Sequence, residues 1–315
     1  MRARFVAAKL ALVGAALVAL TGSGALQTGT PGLVAFSRDG NVFVCNLDGT
    51  GERQITYDGG RESDQGTTYY GCPTLVTRET MVFLAWSYDR DGYDTTQRAY
   101  QARVQGDGVP TAYDGIEHAM GLGYSQKEKH LYYLKLGKRM EGEEGDWGAD
   151  LILTRVKPDG TQEATGVHSW NAETRIDHCR LRFSHDGTLV TVPRNATDVS
   201  SYYGFHWLDG TEDTDLEEWL GGDCLNGVDL SPGGVYGVLA LVSGEPLPGR
   251  GLYALNVADR RKRLIVELPK PEGVAVCSAA GIAVVESDGA LKVVDLKTRS
   301  VRQLFEGVDP DVYPK

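Results

Sequence analysis

Recognisable catalytic signatures are what this chain lacks. It has no Gly-x-Ser-x-Gly nucleophile elbow and no Cys-x-x-Cys pair. Hydrolase chemistry of the α/β type, thioredoxin-like exchange and the common zinc sites therefore lose their usual sequence support. Basic residues are in deficit, with 32 Lys and Arg against 43 Asp and Glu and a formal charge of −11. A chain of that sign is repelled by nucleic acid and by anionic membrane surfaces. Outside the first 25 residues no segment carries a 3.6-residue apolar stripe, so helix content is expected to be very low. What the chain has in excess is glycine, 40 of 315 residues, against a usual share of ~7%.

The N-terminus supplies the compartment. Met1-Arg2-Ala3-Arg4 and Lys9 precede an uncharged run, residues 10–20, and then the small residues Thr21-Gly22-Ser23-Gly24-Ala25. A basic start, a short apolar core and a Ser-x-Ala site describe a secretory signal peptide at residues 1–25. The run is too short to cross ~30 Å of hydrocarbon, no Cys follows it to take a lipid, and no twin-Arg pair is present. The expected organisation is signal peptide 1–25, a linker 26–32 and one folded domain 33–315 in an exported, periplasmic or extracellular protein. Removing 1–25 leaves 29 basic and 43 acidic residues, a net charge of −14. All five Cys lie in the mature part, where disulfides can form, and the odd count leaves at least one outside any intramolecular bridge.

The mature chain repeats itself. Apolar segments separated by short polar turns recur, and aligning them on the turn places Thr77, Ser125, Ser184, Ser231 and Ser278 in register, at spacings of 48, 59, 47 and 47. The long interval contains an acidic, Gly-rich insertion at 138–147, of which residues 138–146 carry both signs and read as a mobile loop. Asp39-Gly40, Asp48-Gly49, Asp159-Gly160 and Asp209-Gly210 are strong hairpin turns. Four antiparallel strands per ~47 residues, repeated, is the grammar of a β-propeller blade, and six blades are expected. The first opens at residues 33–36 without an innermost strand. Residues 308–314 are the candidate to supply it, closing the ring by pairing the two ends and removing the exposed edges of an open stack.

Residues 33–56 carry a closer likeness. Val34-Ala35-Phe36, the turn Ser37-Arg38-Asp39-Gly40-Asn41, the strand and turn at 42–49 and Arg53-Gln54-Ile55-Thr56 resemble the WD40-like (PD40) repeat of the TolB family. Ser184-His185-Asp186-Gly187 and Ser231-Pro232-Gly233-Gly234 are similar to that family's Ser-Pro-Asp-Gly turn. The resemblance implies a six-bladed propeller and an envelope role in binding other proteins, such as peptidoglycan-associated lipoprotein and colicins. With only residues 26–32 between the cleavage site and the first repeat, the α/β domain that precedes the propeller in TolB is expected to be missing.

Propellers commonly work at the mouth of the central channel, where the innermost strands begin. Counting back five to eight residues from each aligned turn gives Tyr69 and Tyr70, Glu117 and His118, Asp177 and His178, Asp223 and Cys224, and Glu272; ring closure adds Asp309. Convergent carboxylates and His could hold a divalent cation or a basic peptide, or be polar only because strand entries are solvated. Cys179 with Cys224 and Cys45 with Cys72 are candidate disulfides, with Cys277 left over in an apolar strand; the alternative is that all five are small core residues. Asp89-Arg90-Asp91-Gly92-Tyr93-Asp94 hints at a calcium loop but lacks the later ligands, and reads better as a hairpin turn. Trp86, Tyr132 and Tyr133 follow strand periods and are expected in inter-sheet packing. The function expected is a non-catalytic module, monomeric, binding an envelope protein or peptide, with no cofactor. The alternative is a metal-dependent propeller enzyme of lactonase or lyase type with its site in the channel.

Overall fold

The computed structural model describes residues 32–64, 66–91, 94–141, 147–171, 179–184, 187–197, 200–208, 214–215, 225–230, 236–241, 251–256 and 261–313. Their strands fall into six sheets. The first holds β1 (Leu33–Arg38), β2 (Asn41–Asn46) and β3 (Arg53–Gln54); the second β4 (Glu62–Ser63), β5 (Gly66–Leu75), β6 (Thr80–Tyr88), β7 (Asp94–Arg103) and β8 (Thr111–Glu117). The third holds β9 (Ala119–Ser125), β10 (His130–Glu141), β11 (Trp147–Val156), β12 (Gln162–Asn171) and the short β13 (Cys179–Arg180). The fourth is β14 (Arg182–Phe183), β15 (Leu189–Thr197), β16 (Ser200–Trp207) and β17 (Thr214–Asp215). The fifth is β18 (Leu225–Leu230), β19 (Tyr236–Leu241), β20 (Gly251–Asn256) and β21 (Arg261–Glu267). The sixth is β22 (Pro271–Cys277), β23 (Ile282–Ser287), β24 (Ala290–Asp295) and β25 (Val301–Glu306). Finally β26 (Val308–Tyr313) pairs antiparallel with β1, so the first sheet runs β26-β1-β2-β3 and joins the two ends of the chain, as its missing inner strand required.

The innermost strands form a circuit of neighbours: β26 packs on β5, β5 on β9, β9 on β14, β14 on β18, β18 on β22 and β22 on β26. Among the described residues the helical content is one 3-10 turn, Ser278–Ala280, and no helix is long and apolar enough to cross a membrane.

Strand periodicity explains how the sheets stack. In β1, Leu33 and Ala35 face the second sheet and join Leu75, Met81 and Phe83, whereas Val34 and Phe36 face the sixth and join Ala275, Cys277 and Val284. Both faces are buried, which is why these strands read as continuous apolar runs rather than alternating ones. The same division recurs in β6: Met81 and Phe83 turn one way, and Val82, Leu84 and Trp86 turn toward Leu122 and Tyr133 of the third sheet. Trp86, Tyr132 and Tyr133 are thus packing residues, as their spacing implied.

Turn chemistry is local and is found where it was read. Asp39 and Gly40, at φ of 50° and 71°, join β1 to β2 in the left-handed conformation a two-residue hairpin needs. Thr77 and Ser184 accept backbone N–H bonds within their turns, from Thr80 at 3.0 Å and Leu189 at 3.0 Å. Residues 89–91 do belong to the β6–β7 turn, Asp89 accepting the Asp91 N–H at 3.0 Å.

Three expectations need correction. The insertion at 138–147 is not all loop: Arg139, Met140 and Glu141 pair with Ala149, Gly148 and Trp147, extending the β10–β11 ladder. The polar, Gly-bearing composition hid this, because the ladder bonds are made by backbone. The apolar segment before the aligned Ser184, expected as one inner strand, is split in two. Cys179 and Arg180 pair in parallel with β9, while Arg182 and Phe183 pair with β15. Gly123 makes that approach possible, since a Cβ there would stand 2.3 Å from the Leu181 carbonyl oxygen. Third, Cys45 and Cys72 form no bridge; both are buried thiols, as is Cys277. Cys45 lies in the apolar layer between the first and sixth sheets and Cys72 in the layer between the second and third, so the whole layer between the first and second sheets separates them.

Candidate functional site

The ladders between inner strands and their partners are interrupted where the inner strands begin. Register shifts fall between Gly71 and Thr74, between the partners of Ala119 and Gly121, at Leu225/Gly227, at Pro271/Val274 and between the partners of Asp311 and Val308. Cys72, His118 and Asp309, near those shifts, take positive φ of 48°, 56° and 58°. Bulges of this kind re-aim backbone and side chains at a rim. Here they turn N–H groups and carboxylates toward the axis.

On the axis sits Arg182. It belongs to the inner strand of the fourth sheet, its side chain is 4% exposed, and it reaches across the ring to the first and sixth sheets. Its guanidinium is ion-paired with the Asp311 carboxylate and donates to the Pro310 carbonyl at 2.8 Å and the Val274 carbonyl at 3.2 Å. The other Asp311 oxygen accepts the Leu75 N–H of the second sheet at 2.7 Å. Four sheets therefore meet on one buried ion pair. Asp229 makes a similar stitch one interface away, accepting the Val276 N–H at 2.6 Å. Burial works against the Arg182 charge, but Asp229, Asp311 and Asp309 outweigh it and hold its pKa above the ordinary arginine value.

Next to this hub, at the end where the inner strands start, lies a carboxyl group the sequence reading missed. Glu286 on β23 is buried and accepts the Asp309 N–H at 2.9 Å. Burial, the neighbouring Asp309 charge and a hydrogen bond with Glu272 push its pKa up to about 8, against the opposing effect of the Asp309 N–H. Asp309 itself accepts the Cys72 N–H at 3.3 Å. Asp309 and Glu272, both expected at the mouth, are thus gathered by Glu286.

The other candidates are more dispersed. Glu117 is exposed at the end of β8, 4.0 Å from Arg98. His118 is exposed on the connection into β9, its N–H donated to the Gln97 carbonyl at 2.9 Å. Tyr70 does not face the axis. It is half-buried between the first and second sheets, edge-on to Phe83 at 5.9 Å and Tyr100 at 6.3 Å, and its phenol pKa is raised by burial and by Asp58. Its ring is apolar and strand-alternating, so packing claims it. Asp177, His178, Asp223 and Cys224 lie outside the described residues, and with Cys224 the proposed Cys179 bridge. Among the described residues no group of three or more His, Cys, Asp or Glu is arranged to hold a metal ion.

Arg182 left a usable signal. It stands two residues before the aligned Ser184, just as Asp229 stands two before Ser231, each a charged residue inside an apolar strand. Glu286 is likewise the lone acid in Ile282–Ser287.

No family model and no curated protein matches this sequence. Its fold has clear likenesses. TolB from Acinetobacter baumannii is similar over 90% of this chain and 67% of that one, at a TM-score of 0.60 and 12% identity. A putative TolB from Agrobacterium tumefaciens is similar over 88% and 90%, at 0.54 and 13%. An oligogalacturonate lyase from Vibrio parahaemolyticus is similar over 84% and 71%, at 0.49 and 11%. The chain has a TolB-like β-propeller fold; at such identities the likeness is one of fold, and function has to be argued from the site.

Proposed function

We propose that this TolB-like propeller is an exported, six-bladed, non-catalytic binding module that engages a basic segment of an envelope protein or peptide. The site is the face where the inner strands begin. The observation that carries the reading is the arrangement around the axis. Arg182 and its partners fill the centre at the depth of Asp311, and above it the floor presents the carboxylates of Asp309 and Glu272, joined by the buried Glu286, whose raised pKa keeps it largely uncharged at neutral pH. Strands of the second to fourth sheets rise beside that floor. β10 alone runs six residues past its last pair with β9, about 20 Å at strand rise. An acidic floor beside a raised wall suits an extended cationic chain, and the net charge favours its approach. The residues of 1–25 support export.

The competing reading, a metal-dependent lactonase or lyase in the channel, has to place a divalent cation beside a guanidinium that already holds the axial carboxylate. Thermal unfolding separates the two. A Lys/Arg-rich peptide is expected to raise the Tm of the full chain by mass action. An acidic peptide of equal length is expected to leave it unchanged, and Glu272→Lys to abolish the shift. If no basic peptide moves Tm while a stoichiometric divalent ion does, the binding reading fails.

A further inference from the structure

We infer that Arg182 is a register lock for the closing strand: it selects, among the ways β26 could lie on β1, the one that closes the ring. β26 is contributed by the far end of the chain and follows β25 after the single residue Gly307. Its side chains alternate. Asp309 and Asp311 bond N–H groups of the second sheet, while Pro310 and Val312 turn toward the sixth, against Gly273 and the Val34–Phe36 layer. A slip of one residue exchanges the two sets. It drives a carboxylate into the apolar layer that holds Val34, Phe36 and Cys277, and leaves Pro310 or Val312 facing a buried guanidinium.

A slip of two keeps the alternation and is the serious competitor. In one direction Asp309 replaces Asp311 at Arg182, but β26 then needs two residues more from a connection that has only Gly307. That glycine has no room to spare, since a Cβ on it would meet Phe36 at 2.8 Å. In the other direction Tyr313 meets the guanidinium and the carboxylate is lost. Apolar burial alone discriminates poorly here, because β26 offers only Pro310, Val312 and the half-buried Tyr313 to it. A buried polar pair that specifies register is the best-attested use of such a costly group. The lock also places the floor above it, because any slip carries Asp309 away from Glu286 and from the Cys72 N–H.

The test is hydrogen exchange of the full chain, read on residues 308–313 and on the Leu75 amide, with β2 as internal reference. Arg182→Met is expected to speed exchange at 308–313 and Leu75 by at least ~10-fold over any change in β2. Because the single variant leaves Asp311 buried without its cation and could fail to fold, the deciding variant is Arg182→Met/Asp311→Leu. It removes both charges, and such exchanges are often neutral for stability. The lock predicts that it folds with a Tm near wild type, while 308–313 loses protection and shows more than one exchanging population. A folded double variant with wild-type protection at 308–313 overturns the inference. So does a double variant that cannot fold, since the pair would then serve stability and not register.

Discussion

The ring has two unlike halves. In the first and sixth sheets β1, β2, β23 and β24 are six residues long, and β1, β2 and β23 bury both faces. In the second to fourth sheets the strands run to nine, ten or twelve residues, as in β6, β11 and β10. In the second sheet the inner strand lengthens with its partner, ten residues in β5 beside nine in β6, but in the third it does not, with seven in β9 beside twelve in β10. The last six residues of β10 therefore lie beyond any pairing with the inner strand. One half closes the ring, and the other builds surface above it.

Breaking that division should cost most at the axis. Arg182→Ala leaves Asp311 buried without its cation, and is expected to destabilise by ~3–5 kcal/mol in denaturant unfolding. An effect below ~1 kcal/mol would mean the axis is wet. Next, Phe36→Ala empties a fully buried site stacked against Phe43 at 5.5 Å and Phe305 at 4.7 Å, with an expected cost of ~3–5 kcal/mol. By contrast, replacing residues 138–147 with a two-residue Asn-Gly turn is expected to cost within ~1 kcal/mol. Equal losses from the two changes would erase the distinction between halves.

Glu286 sharpens the comparison through pH. Its folded pKa, about 8, lies above the ordinary glutamate value, so the fold favours the protonated carboxyl. The stability this contributes is complete below the unfolded pKa near 4.5 and is lost as pH rises through about 8. Glu286→Gln is therefore expected to be close to neutral at pH 4 and stabilising at pH 9, by on the order of 2 kcal/mol. A gap between variant and wild type that stays flat from pH 4 to 9 would mean that the Glu286 carboxyl does not titrate above its ordinary range. The smallest effect belongs to the exposed Glu117–Arg98 pair: Glu117→Ala should change stability by less than ~0.5 kcal/mol.

What could be read from the residues was what depends on neighbours in the chain. Asp39-Gly40 names its own turn, and the missing strand before Leu33 pointed to 308–314 because an incomplete sheet needs an edge partner. What could not be read depends on which layer a side chain enters. Cys45 and Cys72 are near in sequence but face opposite sides of their sheets. Tyr70 counts to the mouth, yet its ring turns into the wedge beside Phe83. Counting names Glu272 and Asp309 as candidates, while Glu286, which touches both, comes from a strand one hairpin away. Arg182 was passed over because its partners, Pro310 and Asp311, lie at the other end of the chain.

The claim that one half closes and the other presents surface is met most directly by hydrogen exchange on the unmodified chain. The slowest exchange is expected in residues 33–46, 274–286 and 308–313, with residues 136–141 and 147–150 exchanging far faster. Equal protection across both sets, or a closing strand that exchanges first, would contradict it.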